Sequence, residues 1–176
     1  MTLKLKRTPG LYLVGFMCSG KTTVGRALAD ELGWCFIDLD HEIEREQGRT
    51  IADIFSGSGE EEFRKIESEL LRRCVSQIEA GNPCVLALGG GAFAQPQNWE
   101  TVENNGITIW LDCPIETIHR RLGDEDNTRP LSMNRHSMQT LYEARKQMYA
   151  RADYRVDSDC EDPVGVVQQI LRLPLF

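Results

Sequence analysis

The octapeptide Gly15-Phe16-Met17-Cys18-Ser19-Gly20-Lys21-Thr22 fits the pattern G-x-x-x-x-G-K-[ST]. It lies between an apolar run at 11–14 and an amphipathic stretch at 21–32, where Val24, Leu28 and Leu32 share one stripe and Gly33 follows as a stop. Strand, glycine-bearing loop and helix in that order curl successive backbone N–H groups around an anion, and the helix N-terminus adds partial positive charge. Lys21 can reach the β- and γ-phosphates of a nucleotide as a point charge, and the Thr22 hydroxyl can ligate Mg2+. Cys18 sits inside the loop, but a nucleophilic thiol needs an identifiable base and neither His nor Asp adjoins it. It reads instead as a small residue near a helix N-terminus, open to oxidation.

The rest of the chain continues the alternation. Apolar runs at 35–37, 85–88, 107–111 and 154–156 join 11–14 as five strand candidates. Helical spacing recurs at 60–79 (Phe63, Ile66, Leu70, Cys74, Ile78), at 137–150 and at 163–171. Strands separated by helices call for a parallel sheet covered on both faces. From 123 to 134 the periodicity stops in a polar stretch containing Pro130, of the kind that serves as a lid. We therefore expect one α/β domain spanning 1–176, without repeat or linker.

The sequence has 20 basic and 27 acidic side chains, a net charge of −7, which argues against a dedicated nucleic-acid binder. No stretch reaches the roughly 18–20 apolar residues of a membrane span, and residues 1–10 lack the apolar core of a signal peptide. The six cysteines, at 18, 35, 74, 84, 113 and 160, form no CxxC pair and no metal-ligand spacing with the three histidines. Free thiols suit a reducing compartment, so a cytoplasmic protein is expected, working as a monomer.

In a parallel sheet, ligands gather at the carboxyl ends of the strands. Those ends hold Gly15, then Asp38 and Asp40, then Gly89-Gly90-Gly91, then Asp112. Asp38 and Asp40 project to one side if extended backbone persists, one toward a metal and one toward an acceptor hydroxyl; alternatively Asp40 caps a helix at 41–46. On their own, Arg64 reads more readily as a surface ion pair with Glu60 or Glu67 and Arg145 as part of a basic helix face, while Arg129 reads equally as a solvated loop residue and as a cation closing over a transferring phosphoryl group. Asp112 competes with Asp38 for the metal but also reads as a helix-start cap before Pro114.

Seven patches together resemble shikimate kinase, over about residues 11–167. They are Gly15 to Thr23, Phe36-Ile37-Asp38-Leu39-Asp40, Gly48-Arg49-Thr50-Ile51-Ala52-Asp53-Ile54-Phe55, Glu62-Phe63-Arg64-Lys65-Ile66-Glu67, Leu88-Gly89-Gly90-Gly91-Ala92, Thr128-Arg129-Pro130-Leu131 and Arg145 to Tyr149. The resemblance implies a three-layer P-loop kinase fold, a five-stranded parallel sheet flanked by helices, with a mobile lid near 123–134 and a helical substrate-binding region near 38–67. It implies phosphorylation of the shikimate 3-hydroxyl by ATP, with Mg2+, in aromatic amino-acid biosynthesis.

Residue by residue, Asp40 is similar to the aspartate that orients and deprotonates the reacting hydroxyl. Arg64 and Arg145 are similar to the pair that grips the substrate carboxylate, and Gly89, Gly90 and Gly91 to the backbone that contacts the ring. Cys18, Ser19, Gly20, Lys21, Thr22 and Thr23 take the place of the ATP-phosphate loop. Thr22 and Asp38 match the metal residues, Lys21 and Arg129 the catalytic cations on the transferred phosphate, and Arg121 the arginine stacked on adenine. The sequence departs from the family pattern at Cys18, where glycine is usual, and in the acidic stretch 123–127, which bears on the assignment of Arg121. A related kinase for another polyol acid such as gluconate, and a non-catalytic nucleotide-binding module, are the alternatives; Arg64 and Arg145 with the three glycines favour shikimate.

Overall fold

The computed structural model describes residues 10–124, 135–159 and 162–175. Five strands, β1 (Gly10–Val14), β2 (Cys35–Asp38), β3 (Cys84–Ala87), β4 (Ile107–Asp112) and β5 (Tyr154–Asp157), form one sheet in the order β2-β3-β1-β4-β5. Every adjacent pair is parallel, with Leu13 in register with Ala87 on one side and Ile109 on the other. Seven α-helices connect and flank them: α1 (Lys21–Leu32), α2 (Leu39–Gln47), α3 (Ile51–Glu79), α4 (Pro96–Glu103), α5 (Ile115–Asp124), α6 (Arg135–Tyr149) and α7 (Pro163–Leu171).

Alternation along β1 explains the layers. Leu11 and Leu13 face a core shared with Val24 and Leu28 of α1 and Val166 and Ile170 of α7. Tyr12 and Val14 face the other core, with Leu70 and Leu71 of α3, Val102 of α4, Ile118 of α5 and Tyr149 of α6. Apolar side chains on both faces of the sheet are what a buried parallel strand requires. Chain order reverses around β1, which lies between β3 and β4, and the loop of residues 15–20 leaves from that switch point. Among the described residues no helix is long and apolar enough to cross a membrane.

Three features differ from the sequence expectation. The helix expected from residue 60 begins at Ile51, closed by a reciprocal cap between Thr50 and Asp53, and breaks at Gly59, whose φ of 82° leaves helical geometry. A helix with Pro96 in its first turn occupies 96–103 where none was expected. Helix α5 continues through Gly123 to Asp124, the first two residues of the stretch expected as a loop; residues 125–134, with Arg129, lie outside the described residues.

Candidate active site

The loop between β1 and α1 adopts the anion-cradling form. Gly15 and Gly20 have φ of 151° and 93°, and Cys18 has φ of 56°, the sole positive-φ non-glycine residue among those described. Ser19 N donates to Phe16 O at 3.3 Å, and Lys21 Nζ turns back over the loop to Gly15 O at 2.9 Å and Phe16 O at 2.8 Å. Arg121 fastens the loop from α5, donating to Cys18 O at 2.7 Å and to Ser158 O, just beyond β5, at 3.3 Å. Thr23 is exposed one residue past Thr22, in the first turn of α1.

Cys18 thus holds the backbone where glycine is at ease, and its side chain crowds the following carbonyl. Cys18→Gly is expected to keep Mg-ATP affinity within about threefold. Cys18→Val, whose branched Cβ makes that conformation costlier still, should weaken it about five- to thirtyfold. A fluorescence titration with nucleotide reads both variants, and equal affinities would remove the backbone argument.

Thr22 and Asp38 meet beside the loop, the Thr22 hydroxyl donating to Asp38 Oδ2 at 2.5 Å. The other Asp38 oxygen accepts from the backbone N–H groups of Asp40 and His41 at 3.1 and 3.3 Å. Asp38, not Asp40, is therefore the N-cap of α2, and extended backbone ends before Asp40. Cap and helix turn separate the two carboxylates, with Asp38 at the loop and Asp40 farther on. Asp112, the other metal candidate, pairs with Arg155 at 2.5 Å. Two adjacent hard oxygens, Thr22 Oγ1 and Asp38 Oδ2, suit Mg2+. No cluster of three or more His, Cys, Asp or Glu residues forms among the described residues, so a magnesium ion would fill its shell with phosphate oxygens and water.

Past the end of β3, Gly89, Gly90 and Gly91 form the floor of a second cradle. A Cβ on Gly89 would lie 2.6 Å from Asp40 Oδ1; one on Gly91 would lie 2.5 Å from Arg64 Nη2 and 3.0 Å from Arg145 Nη2; one on Gly90 would lie 3.4 Å from Arg145 Nη1 and from Met17 N. Side chains from α2, α3 and α6 thus converge on three consecutive residues that present none, next to the phosphate loop. Arg64 and Arg145 are not the solvated pair and basic helix face of the ordinary reading. Arg64 lies 5.2 Å over the Phe63 ring and Arg145 5.7 Å over Phe16, so ring faces back both guanidinium groups. Tyr149 adds a brace, donating its hydroxyl hydrogen to Gly90 O and accepting from Arg145.

Glu67, to which the sequence assigns no site role beyond a helical-spacing partner of Arg64, joins the cradle. It is 1% exposed, bonds to Arg64 at 2.8 Å through one oxygen and leaves the other, Oε1, without a hydrogen-bond partner. Burial pushes its carboxyl up to about 7, opposed by Arg64 and reinforced by the like charge of Asp40. Arg64 Nε is likewise buried without an acceptor. A buried donor and two guanidinium groups facing open floor are the requirements of an anion site.

The chain is similar to known proteins over nearly its whole length. The family model described as shikimate kinase matches residues 17–173. The shikimate kinase of Persephonella marina is 42% identical over 161 residues, covering 92% of this chain and 96% of that protein. The structure of the Acinetobacter baumannii shikimate kinase in complex with shikimate superposes with a TM-score of 0.86 at 37% identity, covering 95% of this chain and 93% of that one. A gluconokinase from Sinorhizobium meliloti shares the fold at 17% identity and a TM-score of 0.57, covering 94% and 91%. With a phosphate loop, an arginine-lined glycine cradle and a family match over nearly its whole length, the chain belongs to the shikimate kinase family.

Proposed function

We propose that this chain transfers the γ-phosphoryl group of ATP to the 3-hydroxyl of shikimate, giving shikimate 3-phosphate and ADP, in the pathway to chorismate and the aromatic amino acids. The observation that supports it most is the convergence of Arg64, Arg145 and Asp40 on Gly89 to Gly91, within reach of the phosphate loop. A ring acid with vicinal hydroxyls needs these elements: two planar cations for its carboxylate, a flat floor for its ring and a carboxylate for its reacting hydroxyl.

In this reading Cys18 to Thr23 and the N-terminus of α1 hold the nucleotide phosphates. Lys21 leaves its loop carbonyls to follow the transferring group, and Arg121 lies along the base. Thr22 and Asp38 hold Mg2+, which neutralises charge on the phosphates. Asp40 orients the 3-hydroxyl and accepts its proton as the oxygen attacks phosphorus in line with the departing ADP oxygen. Arg129 closes with the lid over the developing charge and excludes water, the competing acceptor. We assign the work to a single cytoplasmic domain acting as a monomer.

The gluconokinase likeness speaks to fold alone. ADP release in Mg-ATP is therefore to be measured with shikimate, with gluconate and with neither. Release that depends on shikimate is the expected result. Release with gluconate only, or with neither acid despite ATP binding, would overturn the assignment.

A further inference from the structure

The acceptor cradle is balanced in charge before any substrate enters. Arg64 and Arg145 contribute two positive charges, Asp40 and ionised Glu67 two negative ones. Among the described residues these four charged side chains, from α2, α3 and α6, come within 3.4 Å of the Cβ positions of Gly89 to Gly91, while Lys21 of the adjoining phosphate loop is held on Gly15 O and Phe16 O. Glu60, 3.4 Å from Arg64, is 68% exposed, so solvent screens it. Tyr149, the other titratable group from α6, is buried and held neutral, its hydroxyl pushed upward by desolvation. An entering carboxylate makes three negative charges against two positive ones around a carboxyl that is 1% exposed. One of the acids then gives way, and Glu67, more deeply buried than the half-buried Asp40, is the one whose charge is least solvated.

We propose that Glu67 takes up a proton from solvent when a carboxylate enters between Arg64 and Arg145, so that acceptor binding in this enzyme is coupled to protonation. The inference rests on the shikimate reading of the cradle. Protonation suits the geometry in two ways. Oε1, buried and unpartnered, becomes a hydroxyl able to donate toward the polar side chains around Gly89, of which Asp40 Oδ1 lies 2.6 Å from that glycine's Cβ position. Neutral Glu67 also weakens its hold on Arg64, freeing the guanidinium fork for the substrate carboxylate. Glu67 acts here through Arg64 and is a positioning residue.

The direction follows from linkage. With the carboxyl of the free site titrating near 7, about nine-tenths of it is ionised at pH 8 and about one-tenth at pH 6. The protonated form binds the acceptor more tightly. Affinity should therefore be flat below pH 6.5 and fall toward tenfold per pH unit above 7, until the pH reaches the higher titration point of the complex.

The experiment is calorimetric titration of shikimate into the full chain without nucleotide, at pH 8 and pH 6, in two buffers of different ionisation heat such as HEPES and Tris. More than about half a proton should be taken up per shikimate at pH 8 and less than about a fifth at pH 6. Glu67→Gln keeps the size of the side chain and an oxygen for Arg64. It should abolish the uptake and flatten the pH dependence from 6 to 9, with Mg-ATP binding as the folding control. Shikimate binding with equal heats in both buffers at pH 8 would overturn the inference and leave the substrate assignment standing. Undiminished uptake in Glu67→Gln would overturn the role of Glu67. Intact ATP binding without any shikimate binding would overturn the substrate assignment, and the inference with it.

Discussion

Asp40→Asn is expected to lower kcat with shikimate by about 10²–10⁴ while the KM for ATP stays within about twofold. The substitution keeps the size of the side chain against Gly89 and removes only its ability to accept a proton. Its backbone N–H still donates to Asp38, so the cap of α2 and the Asp38–Thr22 contact survive. Loss confined to turnover is the signature of a group that acts on the acceptor hydroxyl in the transition state. Steady-state kinetics with each substrate varied decides the matter, and unchanged kcat would remove Asp40 from the chemistry.

Arg64→Ala is expected to raise the KM for shikimate about 30- to 1,000-fold, the equivalent of about 2–4 kcal/mol for a buried charge-assisted contact. ATP affinity should change little, because the phosphate loop is built from β1, α1 and α5. The variant also strands Glu67, whose 1%-exposed carboxylate loses its 2.8 Å partner. Arg64→Lys therefore provides a second reading: it keeps the charge and loses the two-pronged geometry, so a smaller rise of about tenfold is expected. Equal losses of ATP and shikimate affinity in both variants would mean a disturbed fold, not a lost carboxylate contact.

Much of the architecture is written in local pattern. The phosphate loop needs particular glycines, and α1 ends at Gly33 and α7 begins at Pro163 as expected, because caps are decided by neighbouring residues. Periodicity alone does not mark a helix over 51–58, since Ser56, Gly57 and Ser58 disfavour one; the Thr50–Asp53 capping box is the local signal that it starts there. The site was harder. Arg64 and Arg145 look like surface residues at their own positions, and only the packing of α3 and α6 over the end of β3 brings both to Gly91. The different fates of Asp38 and Asp40 turn on where α2 begins, which spacing alone leaves open. Glu67 lies within ion-pair distance of Arg64 in any helix, so nothing local distinguishes a buried partner from a solvated one.

The glycine floor bears on inhibitors. Its shape comes from atoms that are missing, and every replacement at 89, 90 or 91 adds at least a Cβ directed at Asp40, at Arg64 and Arg145, or at the phosphate-loop backbone. A shikimate-like compound that keeps to the outline of the substrate over this floor would leave drug resistance little room there. Any mutation that crowds out the compound would crowd out shikimate as well.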